Sequence, residues 1–361
     1  MTAINAYVTN APDGGIKYEQ VEIKDSPGNV SLKPLVTGIC GTDRGIVNGA
    51  LSFAYNPEGY DFLVIGHESL CMVTDSKSNK FKKGDLVVPI VRRPGDCPNC
   101  RIGRPDNCSD GNKHEAGITG LHGFMRDSFN EFDYNLVKVK DTDLGEVAVL
   151  TEPTKNVVKA FEVFDKVRTR FIYENEYSTF DGKNALIIGS GSEAFLYSFL
   201  ARDYGFNTYM VNRHPIDQIP TELCNAFGVN FRDTSKEPDF PGEMKLDFIV
   251  DTSGDPATVL KFLRKMNHNG ILILFGTNGK APQAGLSGED IDFIVERNIT
   301  IAGSVDAAEI HYLKALDYLS KWNRLHRGIL SRMITNKFAP GEQGVFSKKP
   351  QGEIKSVIKW E

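Results

Sequence analysis

The chain has 361 residues, 40% of them hydrophobic and 25% charged, with a formal net charge of −5 at pH 7. That length allows about two domains with substantial cores, and the composition is globular, not disordered. The mild, mixed charge offers no electrostatic footprint for nucleic acid or an anionic membrane. Runs such as Ala185–Ile188 and Ile271–Phe275 fall far short of the ~20 apolar residues of a membrane span. The N-terminal MTAINAYVTN lacks a basic start and an apolar block, so no secretory signal is expected and the cytoplasm is the expected location. Of six cysteines, Cys97, Cys100 and Cys108 cluster while Cys40, Cys71 and Cys224 stand apart. This spacing suggests metal rather than disulfides.

In chain order, Ala6–Val8, Tyr18–Ile23, Leu32–Thr37 and Asp85–Val91 read as short strands bounded by turn residues. Regular periodicity is missing from Ala50 to Tyr60 and from Arg92 to Gly123. The second stretch is long for an unsupported loop, and it holds the cysteine cluster. From Thr154 to Val167, apolar residues at helical spacing follow Pro153, which suits a first helical position. Arg168–Lys183 reads as a polar connecting insert. From Asn184 the pattern is β-α-β. ALIIG leads into a helix through Tyr204, NTYMVN into a helix near Thr221–Phe227, and FIVD into a helix from Pro256. ILILFG leads into a helix near Asp290–Arg297, and ITIAG follows. Such alternation implies a parallel, doubly wound sheet. A helix from Ala307 through Trp322 and a final strand at Ile354–Trp360 close the chain.

Gly189-Ser190-Gly191-Ser192-Glu193-Ala194 follows a strand and opens a helix, as in the G-x-G-x-x-A dinucleotide fingerprint. The glycines allow the tight turn and close approach of a pyrophosphate, which meets the helix N-terminus. An NAD site is expected to have a carboxylate about 20 residues on. Here the next strand ends in Asn212-Arg213-His214, so a 2′-phosphate, and hence NADP, is favoured, with NAD as the alternative.

Two sets of residues suit zinc. Cys40, in Gly38-Ile39-Cys40-Gly41-Thr42-Asp43, and His67, in Gly66-His67-Glu68, each follow a strand. Glu152, in Leu150-Thr151-Glu152-Pro153, is the expected third ligand of an open catalytic site. Cys97, Cys100 and Cys108 supply most of a structural site. Asp110, Asp96 and His114 are the available fourth ligands, and Asp110 is preferred.

Taken together, G-I-C-G-T-D, G-H-E, the cysteine lobe, E-P and the glycine-rich turn occur in the order found in zinc-dependent medium-chain alcohol/polyol dehydrogenases. The chain resembles that family over nearly its whole length. Val91-Arg92-Arg93-Pro94-Gly95, Arg101-Ile102-Gly103-Arg104-Pro105-Asp106, His114-Glu115-Ala116-Gly117-Ile118, Gly123-Phe124-Met125-Arg126 and Asn212-Arg213 are similar to the archaeal, thermoacidophile-type glucose dehydrogenases. The resemblance implies an α/β subunit. A GroES-like, mostly-β catalytic domain (1–183 and 307–361) would carry an inserted Rossmann doubly wound parallel-sheet domain (184–306), with the active site in the cleft and four subunits in a homotetramer. It places Cys40, His67 and Glu152 at the catalytic zinc, with Glu68 as alternate ligand and Thr42 beside the substrate oxygen. Glu115, Glu152, Asn156, Glu296 and Asp306 fall at the sugar, and Thr277, Asn278 and Val305 join the cofactor contacts. Pro94 stands where the family has the first lobe cysteine.

The activity implied is oxidation of D-glucose, or D-galactose, at C1, with hydride transfer to NADP. Another polyol substrate is the nearest alternative. A non-catalytic NADPH-binding protein would not need the metal residues, and a nucleic-acid-binding zinc ribbon fails on charge. An ion pair of Glu115 with Arg101 or Lys113 is the simpler alternative to a sugar contact.

Overall fold

The computed structural model describes residues 2–24, 27–111, 114–170 and 180–360. These form two compact units, 1–155 with 306–361, and 156–305. No helix among the described residues is long and apolar enough to cross a membrane.

The first unit is mostly β, as its turn-punctuated sequence suggests. A three-stranded antiparallel sheet has the order Gly14–Ile23, Thr2–Asn10, Leu63–Val64. A seven-stranded sheet runs Leu136–Lys138, Leu86–Pro89, Glu68–Ser76, Val30–Ile39, Lys355–Lys359, Ile334–Phe338, with Phe129–Glu131 added to Val30–Ile39. Every pairing in this sheet is antiparallel except that of the last two strands. The described part of the aperiodic sequence from Arg92 to Gly123 takes only short helical turns and two-residue strands.

Three glycines set the local geometry there. A Cβ on Gly117 (φ +77°) would come within 2.4 Å of the Gly66 carbonyl oxygen, and one on Gly123 within 2.2 Å of the same atom. Only glycine lets these backbones meet, and Gly66 itself is held at φ +91°. The consequence is that the Glu115-Ala116 strand lies beside the turn that carries His67.

The second unit is a six-stranded parallel sheet. Its order is Asn230–Asp233, Asn207–Asn212, Asn184–Ile188, Leu246–Asp251, Met266–Leu274, Thr300–Gly303. This is the 3-2-1-4-5-6 order of a dinucleotide-binding sheet, with its reversal beside Asn184–Ile188. The intervening helices stop and start where the chemistry directs. Gly228 ends Gln218–Phe227 in the left-handed region at φ 65°, and a Ser287–Asp290 capping box begins Gly288–Glu296.

The helix Thr151–Arg168 begins in the first unit and continues into the second. The division therefore falls at 155/156, ahead of the 183/184 boundary that the sequence pattern marks. The reason is packing. Phe164 lies 4.6 Å from Phe248 and 5.2 Å from Phe180, centroid to centroid, and Phe161 lies 4.6 Å from Tyr204. These aromatic groups bind the helix's second half to the parallel sheet. The central part of the expected insert, 171–179, lies outside the described residues.

Candidate active site

Cys40 caps the helix Gly41–Val47, which directly follows the strand Val30–Ile39. Asp43, fully buried in the first turn of that helix, accepts from the Cys40 backbone N–H at 2.8 Å and from the Gly66 N–H at 3.2 Å. Its Oδ1 also lies 3.3 Å from His67 Nδ1, close enough for electrostatic pairing but off the line of a hydrogen bond. Burial opposes charging of the His67 ring. Asp43, with help from Cys40, outweighs it and holds the imidazole well above its ordinary pKa.

Ligand atoms of Cys40, His67 and Glu68 all lie within 4.8 Å of one another. The Thr42 hydroxyl is 3.8 Å from Cys40 Sγ. Glu68 is paired in register with Gly38. A Cβ on Gly38 would be 1.9 Å from Glu68 Oε2, so the glycine leaves the path along which the carboxylate crosses the central strand. On the other side Lys355 Nζ donates to both carboxylate oxygens, at 2.7 and 2.8 Å, with neither residue open to solvent.

Glu152, the third ligand expected from the sequence, is buried and outside this trio. Its Oε1 lies 3.0 Å from Lys155 Nζ. Glu68, expected only as the alternate, is the carboxylate that stands with Cys40 and His67.

A second set of buried charges lies in the same unit. Arg92 Nη1 donates to Glu115 Oε1 at 3.3 Å and lies 3.6 Å from Asp306 Oδ2. The ion-pair alternative for Glu115 is thus realised with Arg92. Lys113 lies outside the described residues. Burial pushes the Glu115 carboxyl up to about 7; Asp306 adds to the rise, and Arg92 and Lys155 oppose it. Asp306 sits at φ 61°, an uncommon conformation that aspartate tolerates better than most residues. Glu296 is exposed at the end of its helix and Asn156 is half-buried, both in the second unit.

In the cysteine lobe, the Sγ atoms of Cys97 and Cys100 are 3.6 Å apart and those of Cys97 and Cys108 are 4.0 Å apart. Hydrogen bonding from Ser109 lowers the Cys97 thiol to about 6, and burial raises Cys100 to about 11. Asp110 faces the same space. A Cβ built on Gly95 would lie 3.8 Å from Cys108 Sγ, 3.9 Å from Cys100 Sγ and 3.9 Å from Asp110 Oδ2. His114 Nδ1 instead lies beside Gly120 and Tyr55, and Asp96 is exposed.

The glycine-rich turn has the form its sequence predicts. Gly189 is at φ 122°, where a Cβ would be 2.3 Å from Thr252 Oγ1, while Gly191 caps the helix Ser192–Asp203 with almost nothing facing it. Ala194 is fully buried. Asn212 Nδ2 donates to Ser190 Oγ at 2.9 Å, which ties the end of the second strand to the turn. A cavity of about 400 Å³ opens there, lined by Gly189, Asn212, Arg213, Thr234, Ser235 and Lys261 among others. Arg213 and His214 are exposed, as are Thr277, Asn278 and Val305.

A model described as the alcohol dehydrogenase GroES-like domain matches residues 26–141, and one described as the glucose dehydrogenase C-terminus matches 145–360. Glucose 1-dehydrogenase of Thermoplasma acidophilum is 59% identical, each chain covered in full, and that of Metallosphaera sedula is 39% identical over 99% of both. The chain belongs to the glucose dehydrogenase family. Among solved structures, Haloferax mediterranei glucose dehydrogenase, in complex with NADP, Zn and gluconolactone, is similar with a TM-score of 0.85 at 24% identity. It covers 99% of either chain.

Beside the residues expected from the family, the structure adds Asp43, Lys355, Arg92 and Lys155. Asp43 was visible in the G-I-C-G-T-D motif, but nothing in its spacing reveals that it reaches Gly66 and His67. Lys355 lies 287 residues from Glu68, and no local signal joins them.

Two consequences follow for stability. Lys355→Met leaves Glu68 buried without its ammonium partner. It is expected to cost about 3–5 kcal/mol of unfolding free energy. Combining it with Glu68→Gln is expected to recover most of that in urea denaturation; a single-variant loss below about 1 kcal/mol would show the pair to be dispensable. Glu115, with its raised pKa, keeps its proton in the folded chain where the unfolded chain has lost it. Its contribution is full below its ordinary value of 4.5 and is lost as pH rises through about 7. Glu115→Gln is expected to flatten the decline in stability over that window by up to roughly 3 kcal/mol. Thermal unfolding across the window measures it, and an unchanged slope contradicts it.

Proposed function

We propose that the chain is a glucose 1-dehydrogenase, oxidising the C1 hydroxyl of D-glucose to the lactone with NADP as hydride acceptor. The observation that carries this reading is 59% identity over full length with the Thermoplasma acidophilum enzyme of that name. The two binding regions agree with it.

The donor set of Cys40, His67 and Glu68 suits zinc, and with Asp43 on Nδ1 the other ring nitrogen of His67 is left for metal. Glu152 is the alternative carboxylate ligand. Cys97, Cys100, Cys108 and Asp110 hold a structural zinc. The open glycine turn from Gly189 to Ala194 takes the pyrophosphate, and Asn212, Arg213 and His214 take the 2′-phosphate. Thr277, Asn278 and Val305 complete the cofactor contacts. When bound, zinc supplies Lewis acidity toward the alcohol and NADP receives the hydride.

The chain's own residues do the rest. Thr42 takes the hydroxyl proton toward solvent, since a hydroxyl accepts and donates at once. Glu115 and Asp306 hold other sugar hydroxyls, with Asn156 and Glu296 completing the substrate set. A buried acceptor left unmatched by a deoxy sugar is what makes such a site selective.

We further propose a homotetramer and a cytoplasmic location. Thr300–Gly303 is an end strand of the parallel sheet; its Ile301 is 40% exposed, and Val295 of the helix Gly288–Glu296 just before it is 68% exposed. An end strand with no further strand beside it among the described residues, with exposed apolar groups on and next to it, suits a second copy. None of the six cysteines is joined in a disulfide, which suits a reducing compartment.

NADP reduction with D-glucose is expected, with D-galactose assayed alongside. It should fall on chelator treatment and return with zinc. Cys40→Ala is expected to abolish turnover while NADPH binding persists. Turnover with another polyol but neither sugar would overturn the substrate assignment, and activity in Cys40→Ala the metal assignment. Arg213→Ala removes a charged contact to the 2′-phosphate, so the KM for NADP is expected to rise about tenfold or more with NAD little changed. Equal loss for both cofactors would place Arg213 elsewhere.

A further inference from the structure

Arg126, the last residue of the Gly-Phe-Met-Arg segment, has no part in the chemistry described above. It is 5% exposed. Among the described residues its guanidinium makes no hydrogen bond, and its Nε is sealed from solvent without a partner. A buried guanidinium in this condition is unusual, because desolvating an ion costs several kcal/mol unless counter-charge or hydrogen bonds offset it.

The neighbouring acids are engaged elsewhere. Asp127 Oδ2 accepts from the backbone and side chain of Asn5, both at 3.1 Å. Glu131 Oε2 is held by Arg93 at 2.6 Å, while its Oε1 accepts from Asn135 Nδ2 at 2.9 Å and the Phe132 N–H at 3.0 Å. The one close compensation is the Phe129 ring, 4.7 Å from Arg126 Cζ, worth only about 1–2 kcal/mol. Burial accordingly pulls the guanidinium down to about 10.

Arg126 lines a cavity of about 230 Å³ whose other polar walls are Lys24, Ser31, Thr74, Ser128 and Asn130. That is far more room than the ~30 Å³ of one water. Two cations, three hydroxyls and an amide face this space, and no carboxylate among the described residues does. Ser31 Oγ donates to Asn130 Oδ1 at 2.8 Å, and the Asn130 amino group has no protein partner among the described residues. Ser128 Oγ likewise donates, to Asp127 Oδ1 at 3.4 Å, so the donors left are Lys24, Thr74, the Asn130 amino group and, at the centre, a guanidinium with no hydrogen bond among the described residues.

We propose that this cavity binds a small oxyanion, phosphate or carboxylate, with Arg126 as its principal contact and Lys24 and Asn130 at its rim. A guanidinium matches either group through paired N–H donors. The site belongs wholly to the first unit, apart from the residues assigned to zinc, sugar and dinucleotide.

The test is calorimetric titration and thermal unfolding of the full-length protein with inorganic phosphate and, separately, citrate. Sodium chloride at equal ionic strength is the reference, and saturating NADP occupies the dinucleotide site. A saturable heat and a concentration-dependent rise in Tm, beyond the chloride control, are expected. Response to phosphate alone identifies a tetrahedral ligand, and response to citrate alone a carboxylate. Arg126→Met is expected to weaken binding about tenfold or more, with turnover of glucose kept. Lys24→Gln combined with Asn130→Ala, at an exposed and a half-buried position, is expected to weaken it several-fold and tests the site even if Arg126→Met does not fold. No saturable binding of either anion to the unaltered protein overturns the proposal. So does affinity unchanged in the rim variant or in folded Arg126→Met.

Discussion

One buried carboxylate organises the metal region. Asp43 fixes the backbone before helix Gly41–Val47 through the Cys40 N–H, the turn before strand Glu68–Ser76 through the Gly66 N–H, and the His67 ring through its charge. Cys40 and His67 come from segments far apart in sequence, and no covalent or sheet register alone would align their side chains. A carboxylate with two oxygens and several lone pairs can serve all three contacts together. Around it, Gly66, Gly117 and Gly123 let three backbones approach more closely than any side chain would permit. That approach sets Glu115 beside the His67 turn, so the same constraint that orders Cys40 and His67 also positions the carboxyl that we propose for sugar.

Among the described residues of this unit, most buried charges are matched in pairs, and Arg126 is not. Glu68 has Lys355, Glu152 has Lys155, and Glu115 and Asp306 share Arg92. Such pairs contribute little net stability over an apolar core, but losing one member leaves a costly charge behind. They therefore restrict the arrangement more than they strengthen it, which suits side chains that must be held for a ligand. Arg126 departs from the pattern, and the departure coincides with a polar cavity. A chain that satisfies its other buried ions so closely gives that coincidence weight.

Features written in short segments were legible from the sequence. The Gly189–Ala194 turn lies between its strand and helix, the βα alternation folds into the parallel sheet, and the three lobe cysteines come together. Each depends on residues a few positions apart, where periodicity and glycine chemistry act directly. Long-range pairings were not legible. The Lys355–Glu68 contact depends on strand Lys355–Lys359 lying next to Val30–Ile39, and nothing local to either segment specifies that neighbour. The helix Thr151–Arg168 was recognisable by its spacing, yet its division between units was not, because that depends on Phe248 and Phe180 meeting Phe164. The choice between Glu68 and Glu152 also lay beyond the sequence. Both follow strand or turn segments, and only the crossing over Gly38 brings one of them to Cys40 and His67.

The sharing of Arg92 by Glu115 and Asp306 has a chemical consequence for a polyol ligand. Burial and the neighbouring Asp306 outweigh Arg92 and Lys155, so the Glu115 carboxyl is driven toward its protonated form. Near neutral pH Glu115 is then a group that donates or accepts. Sugar hydroxyls also do both, and neighbouring hydroxyls on a ring ask for complementary partners. A fixed pair of carboxylates would repel each other and offer acceptors only. A protonated Glu115 relieves that repulsion and can match either orientation of a bound hydroxyl. The strained backbone at Asp306, φ 61°, fits the same account, since strain of this kind persists where the surroundings hold a side chain to a particular task.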